Sequence, residues 1–361
     1  MRKIALISPQ LYPFYIGGVE VFNYYLLKEL SKECSLEYVS YDKLEDNNTL
    51  KHFRLIRSKY LKYFHFIFLI TILSIKRRVF ILSFSRSNIF YWAIFPILNI
   101  LLNTRYVIII HGGGLTGLKK GVIYNNLFKR SMKLFGVSQV ICEEYSRVYK
   151  LQIEYLPPVI PFKQSNLSKE NLRLNYSIQN FSQVFLYVGS LKKLKRPEII
   201  IEAFNYLGDK YLEKENVIMI IAGNGPMYQD LVDRVNQYKL CKYIKLIGNV
   251  ERNNVPDLYK IADHYIISSD YEGTPISMLE AMYNKVTILA SNSQGINDII
   301  INNWNGVLFD NNNVEELSKL LKQIISNPDF AKTLSKNAHS TYIDNYSFKD
   351  TINKIKTAIF L

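Results

Sequence analysis

Two glutamates eight residues apart, Glu272 and Glu280, flank the segment Gly273-Thr274-Pro275-Ile276. Gly273 allows a tight turn, Thr274 suits a helix N-cap, and Pro275 suits the first helical position. A helix beginning there leaves its first amides free. Together with the helix dipole they make a seat for an anion such as a diphosphate. Glu280 falls about one and a half turns into that helix. The two carboxylates therefore bracket a phosphate cradle. One is placed to accept hydrogen bonds from sugar hydroxyls, the other from ribose hydroxyls.

Other segments offer compatible chemistry. Gly189-Ser190-Leu191-Lys192-Lys193-Leu194-Lys195-Arg196-Pro197 follows an apolar run and clusters cations in a turn, which can neutralise a diphosphate. A plain solvated basic turn is the alternative there. Gly17-Gly18, before Val19-Glu20, lets backbone approach a ligand, or simply makes a tight turn. His111-Gly112-Gly113-Gly114 sets a histidine at the end of an apolar strand, where it either meets a ligand or is satisfied by backbone. Ala222-Gly223-Asn224-Gly225-Pro226 and Gly248-Asn249-Val250 are further turns after strand-like runs.

The stretch from Glu272 through Met282, with Ser291–Gly295 and Asn305-Gly306 after it, resembles the E-x7-E signature of glycosyltransferase family 4. The Lys195 turn is similar to that family's G-R-L-x-x-x-K-G motif, with Ser190 where an arginine is usual. Lys192, Lys193 or Arg196 could replace its charge. Lys285 and Thr287 also stand where the family has Gly and Pro.

The resemblance implies a retaining transferase that moves a hexose from a nucleotide diphosphate sugar to an acceptor. It implies contact of Glu272 with the donor sugar, Glu280 with the ribose and Lys195 with a donor phosphate. His111 would lie beside the sugar, and Gly17 and Gly18 against the distal phosphate. Ser190, Gly225, Val250, Gly273, Thr274, Pro275 and Ile276 complete the donor site. Same-face attack is implied, the leaving phosphate oxygen taking the acceptor's proton. No D-x-D occurs. No metal or other cofactor is therefore expected, protein cations taking the metal's place. A sugar-nucleotide 2-epimerase or another non-transferase enzyme of the same architecture is the alternative.

The elements that must hold these residues alternate. Strands are expected at 4–8, 79–84 and 106–110, with a helix over 19–32. A second alternating set runs from Val184–Val188 to Val286–Ala290, with amphipathic helices from Val314 onward. Such alternation implies parallel sheets with right-handed crossovers. With 361 residues the chain exceeds a single core and is read as two domains. The expected fold is α/β of the GT-B kind, two Rossmann-like domains with parallel sheets facing across a cleft that takes the donor. Pro157-Pro158 and Pro161 break the pattern, which places the boundary near 160. An acceptor domain is expected over 1–160, joined by the C-terminal helix 345–361, and a nucleotide-sugar domain over 161–344.

Charge is unevenly placed. Residues 1–165 hold 23 Lys and Arg against 10 Asp and Glu, and residues 166–361 hold 22 against 21. The first half is thus suited to an anionic partner. No helix-turn-helix, RNA-recognition or zinc pattern supports nucleic acid. The apolar run Tyr63–Ile75, flanked by Lys59, Lys62 and Lys76-Arg77-Arg78, is too short to span a bilayer. It is either a buried helix or an interfacial one with cations at the headgroups. A second run, 89–102, is interrupted by Pro96 and Asn99. Three widely spaced cysteines and no signal peptide point to the cytosol. The expected setting is peripheral, at the inner face of the plasma membrane. The expected partners are a UDP- or GDP-sugar, a lipid-linked or oligosaccharide acceptor, and an anionic membrane surface. Capsule, lipopolysaccharide or exopolysaccharide synthesis is the expected context.

Overall fold

The computed structural model describes residues 3–11, 17–44, 50–58, 61–76, 78–85, 89–111 and 121–360. Lys59, Arg77 and Gly112-Gly113-Gly114 lie outside the described residues. The chain divides into two compact units, Met1–Ile160 with Phe348–Leu361, and Pro161–Ser347.

The first unit runs β1 (Lys3–Ile7), α1 (Gly18–Leu30), β2 (Ser35–Ser40), β3 (Lys51–Arg54), α2 (Leu61–Ile75) and β4 (Val79–Phe84). It continues α3 (Ile89–Trp92), α4 (Ile94–Leu102), β5 (Arg105–Ile110), α5 (Val122–Lys129), β6 (Lys133–Gly136), α6 (Gln139–Tyr149) and β7 (Glu154–Tyr155). The sheet is parallel, in the order β3-β2-β1-β4-β5-β6-β7. β4, VFILSF, is buried at every position. That is what a parallel strand covered on both faces requires. Chain order reverses between β1 and β4, the switch point where open α/β sheets bind ligands at strand C-termini. Asn23 of α1 fixes this corner, its amide donating to Ser8 Oγ at 3.0 Å and Ser83 Oγ at 2.8 Å. Arg78 and Glu37 form a buried ion pair joining β2 to the start of β4.

The second unit runs α7 (Lys169–Asn175), β8 (Gln183–Val188), α8 (Glu198–Leu207), α9 (Asp209–Glu215), β9 (Val217–Ala222), α10 (Tyr228–Gln237) and β10 (Ile244–Gly248). It continues α11 (Val255–Ile261), β11 (His264–Ile267), α12 (Ile276–Tyr283), β12 (Thr287–Ser291), β13 (Val307–Phe309), α13 (Val314–Ser326) and α14 (Pro328–Asn345). The parallel order is β10-β9-β8-β11-β12-β13, with its switch point between β8 and β11. A last helix, α15 (Phe348–Phe360), returns to the first unit, where Thr351 Oγ1 donates to the Pro157 carbonyl at 3.3 Å.

The run 89–102 is broken at Ala93 into α3 and α4, just before Pro96, which has no N–H to offer the Trp92 carbonyl. One local expectation is corrected. Pro275 is not the first helical residue. Its φ of −73° is ring-fixed but its ψ is 109°, so it is the N-cap and the helix opens at Ile276.

Candidate functional site

The switch point of the second sheet gathers the Lys195 turn, after β8, and the Glu272 loop, after β11. Buried Ser268 joins them, its hydroxyl bonding the carbonyls of Lys195 at 2.9 Å and Arg196 at 2.8 Å. Asp270 N–H donates to the Leu194 carbonyl at 2.9 Å. The turn closes on Arg196, left-handed at φ 49°, whose guanidinium holds Glu198 at 2.6 Å and Asp270 at 3.4 Å. Arg196 therefore serves the scaffold. Of the cations that could replace the arginine expected at Ser190, only Lys192 and Lys193 remain exposed.

Lys195 Nζ reaches Glu272 Oε1 at 2.5 Å, and Ser269 Oγ donates to the same oxygen at 2.7 Å. Ser291, from β12, donates to the Ser269 carbonyl at 2.7 Å. The Glu272 backbone is fixed from the other side, its N–H donating to the Gln294 carbonyl at 3.1 Å. Gly295 follows at φ 86°. A Cβ there would lie 2.1 Å from the Glu272 carbonyl oxygen.

Glu272 is followed by Gly273, Thr274 and Pro275, after which the eight residues of α12 begin without a side-chain cap. Glu280 lies inside this helix, buried against the Arg252 guanidinium. Tyr259 donates to its other oxygen at 3.4 Å and to the Ser277 carbonyl at 2.8 Å. Burial pushes the Glu280 carboxyl above its ordinary value. Arg252 acts in the opposite direction without overcoming it. The two glutamates thus differ in setting, one partly exposed and lysine-paired, the other sealed with an arginine.

The glycine turns pack beside this centre. A Cβ on Gly223 would stand 1.8 Å from the Gly189 carbonyl oxygen, and one on Gly225 would stand 2.4 Å from that of Leu191. Close approach of two backbones, not only of a ligand, accounts for glycine at both. Gly223 N–H donates to the Gly248 carbonyl at 2.7 Å, which brings the Gly248–Val250 turn into the same row. Ser190, Val250 and Ile276 are all partly exposed along this edge.

The remaining candidates belong to the first unit. Gly17 is the N-cap of α1, which also opens without a side-chain cap. A Cβ at Gly17 would meet the Glu20 carboxylate at 2.2 Å. His111 follows β5, its N–H bonded to the Phe84 carbonyl at 3.0 Å and its ring edge-on to Phe22. Both ring nitrogens are buried without a hydrogen-bond partner among the described residues, and burial pushes the imidazole down to about 3. It is a neutral ring at physiological pH, able to donate or accept one hydrogen bond but not to act as a standing cation.

Sequence reasoning missed Arg252 and Ser268. Arg252 sits 28 residues before its carboxylate in a single 3-10 turn, with no motif to mark it. Ser268 stands four residues before Glu272, with nothing in the sequence to mark its link to the Lys195 turn.

Residues 168–341 match the family model for glycosyl transferases group 1. The chain is similar to an Escherichia coli UDP-Gal:alpha-D-GlcNAc-diphosphoundecaprenol alpha-1,3-galactosyltransferase, 25% identical over 63% of this chain and 59% of that one. It is 25% identical to an uncharacterized Methanocaldococcus jannaschii glycosyltransferase over 93% of both chains. Its fold matches that of Anabaena HepE, solved with UDP-glucose, at TM-score 0.81 and 14% identity, covering 99% of each chain. The chain spans about half the length of most curated relatives it matches. Most of the second unit is thus similar to the group 1 glycosyl transferases, and the fold is a two-unit α/β frame of the GT-B kind.

Proposed function

We propose that the protein is a retaining family 4 glycosyltransferase. It transfers a hexose from a UDP- or GDP-linked donor to a lipid-linked saccharide at the inner face of the plasma membrane, in the synthesis of a bacterial surface polysaccharide. The observation that carries the reading is the pairing of Lys195 with Glu272 at the uncapped start of α12. A cation, a hydroxyl-binding carboxylate and free helix amides meet there at the switch point of a parallel sheet. The UDP-sugar and diphosphoundecaprenol in the name of the Escherichia coli relative support a UDP donor and a lipid-linked acceptor.

In this reading the donor diphosphate lies against the amides after Pro275 and draws Lys195 from Glu272 to a phosphate. Both offset the charge that grows on the leaving diphosphate, the form of stabilisation that accelerates the step itself. Glu272 is then free to accept from a sugar hydroxyl, and Glu280, aligned by Arg252, from the ribose. Gly17 and Gly18 bring backbone to the distal phosphate. His111 supplies a neutral ring to the sugar. The leaving phosphate oxygen takes the acceptor's proton, and no metal is required.

The test is nucleotide release from a panel of UDP- and GDP-hexoses, with and without an undecaprenyl-diphosphate-linked saccharide. Acceptor-dependent release that persists in EDTA is expected. Release unchanged by acceptor, or none across the panel, contradicts the reading.

A further inference from the structure

We propose that the face of the first unit formed by α2, α4 and the start of α5 is a docking surface for an anionic lipid bilayer. It extends the membrane reading above by naming the surface that meets the lipid. These helices lie in the β3→β4, β4→β5 and β5→β6 connections, which all advance in one direction along the sheet. Right-handed crossovers therefore place all three on one side of it.

α2 is apolar on two opposite sides. Phe66, Leu69, Ile70 and Leu73 are buried, whereas Leu61, Phe64, Phe68 and Ile75 recur at three, four and seven residues and are exposed, Phe64 by 76% and Phe68 by 65%. A helix that only packed on its sheet would carry polar residues there. On α4 the same holds for Ile97, Ile100 and Leu101, and at the start of α5 for Val122. Arg130, just past α5, donates to Asn99 of α4 at 3.2 Å and ties these two elements together. Apolar side chains exposed on three neighbouring helices amount to an interaction surface, not scattered exposure.

Charge selects the partner. From residue 47 to residue 142 the sequence holds 15 Lys and Arg and no Asp or Glu. Lys62 and Lys76 stand at the two ends of α2, and Lys129 and Arg130 at the end of α5. None of the four pairs with a carboxylate among the described residues. Elsewhere in the unit Arg57, Lys133 and Arg147 do. Exposed apolar residues among unpaired cations fit an interface of acyl chains beneath anionic headgroups. A second copy of the chain would oppose these cations with cations. No helix of the described residues is long and apolar enough to cross a membrane, so the surface lies on the bilayer.

The test is flotation of the full chain with vesicles of phosphatidylglycerol and phosphatidylcholine in equal parts, and with phosphatidylcholine alone. Wild type should float with the anionic vesicles and be released by high salt. Phe64→Ser/Phe68→Ser/Leu101→Ser should lower the bound fraction by about tenfold or more. The rise in melting temperature with UDP should be the same in both proteins, since the donor residues of the second unit are untouched. Wild type left in the soluble fraction, or a triple variant that floats equally, overturns the proposal. So does a lipid-free wild type that sediments as a dimer while the variant is monomeric. A wild type that shifts with neither UDP nor GDP would instead count against the donor site, so the two failures are distinct.

Discussion

Lys195 and Glu272 hold each other in the free protein, and this shapes what each substitution does. Removing the carboxylate releases Lys195 to a phosphate. Glu272→Ala should therefore keep UDP affinity within about threefold of wild type while transfer falls about 100-fold or more, the usual cost of losing a group that acts in the transition state. Calorimetry and initial rates on one preparation check both halves. Arg252 has the opposite character, because it compensates a buried carboxylate. Arg252→Ala should cost about 3 kcal/mol of stability, as breaking one side of a buried pair does. Urea titration reads this directly. These residues were legible as candidates to different depths. Lys195, Glu272 and Glu280 stand out by their motifs and the resemblance those motifs carry. Arg252 is visible only once the 3-10 turn before α11 meets α12.

At the level of elements, the alternation of apolar runs was enough to place the strands that bear the site. β4 keeps the expected bounds. β3, β7 and β13 escaped sequence reading because they are two to four residues long, shorter than any period can register. The start of α12 moved by one residue because Pro275 fixes its own φ but not its ψ. The apolar run of α2 left buried and interfacial readings open, and the structure shows why. It has one buried face and one exposed apolar face. Glycine turns are where the elements meet most closely, and Gly295 lies against the Glu272 loop itself. Its left-handed φ and the Glu272 carbonyl beside it leave no room for a methyl group. Gly295→Ala should cost roughly 2 kcal/mol or more and displace the Glu272 loop. The measured signs would be a lower melting point and a smaller rise with UDP. An unchanged UDP response would mean that the loop does not position the donor.

For the whole molecule, two sheets of the same plan divide the chemistry unequally. The second carries the carboxylates and Lys195. The first carries His111 and the exposed cationic face. Stability also has a pH signature. His264, the first residue of β11, is buried with Nε2 on Gln183 Oε1 at 2.8 Å, and burial pushes it down to about 4. The unfolded chain takes up a proton on this ring below about 6.5, and the folded protein does not until near 4. The stability is therefore intact above the unfolded value and lost as pH falls through that window, by roughly 1 kcal/mol per pH unit. His264→Gln should flatten this slope in denaturant titrations, and an equal slope would assign it to other groups. The central claim is that a diphosphate is held by Lys195 at the mouth of α12. The direct measurement is calorimetric binding of UDP, GDP and their unphosphorylated nucleosides to wild type and Lys195→Ala at low salt. The account predicts that the preferred diphosphate weakens about tenfold or more in the variant while its nucleoside is unaffected. Equal diphosphate affinity in the two proteins would contradict it.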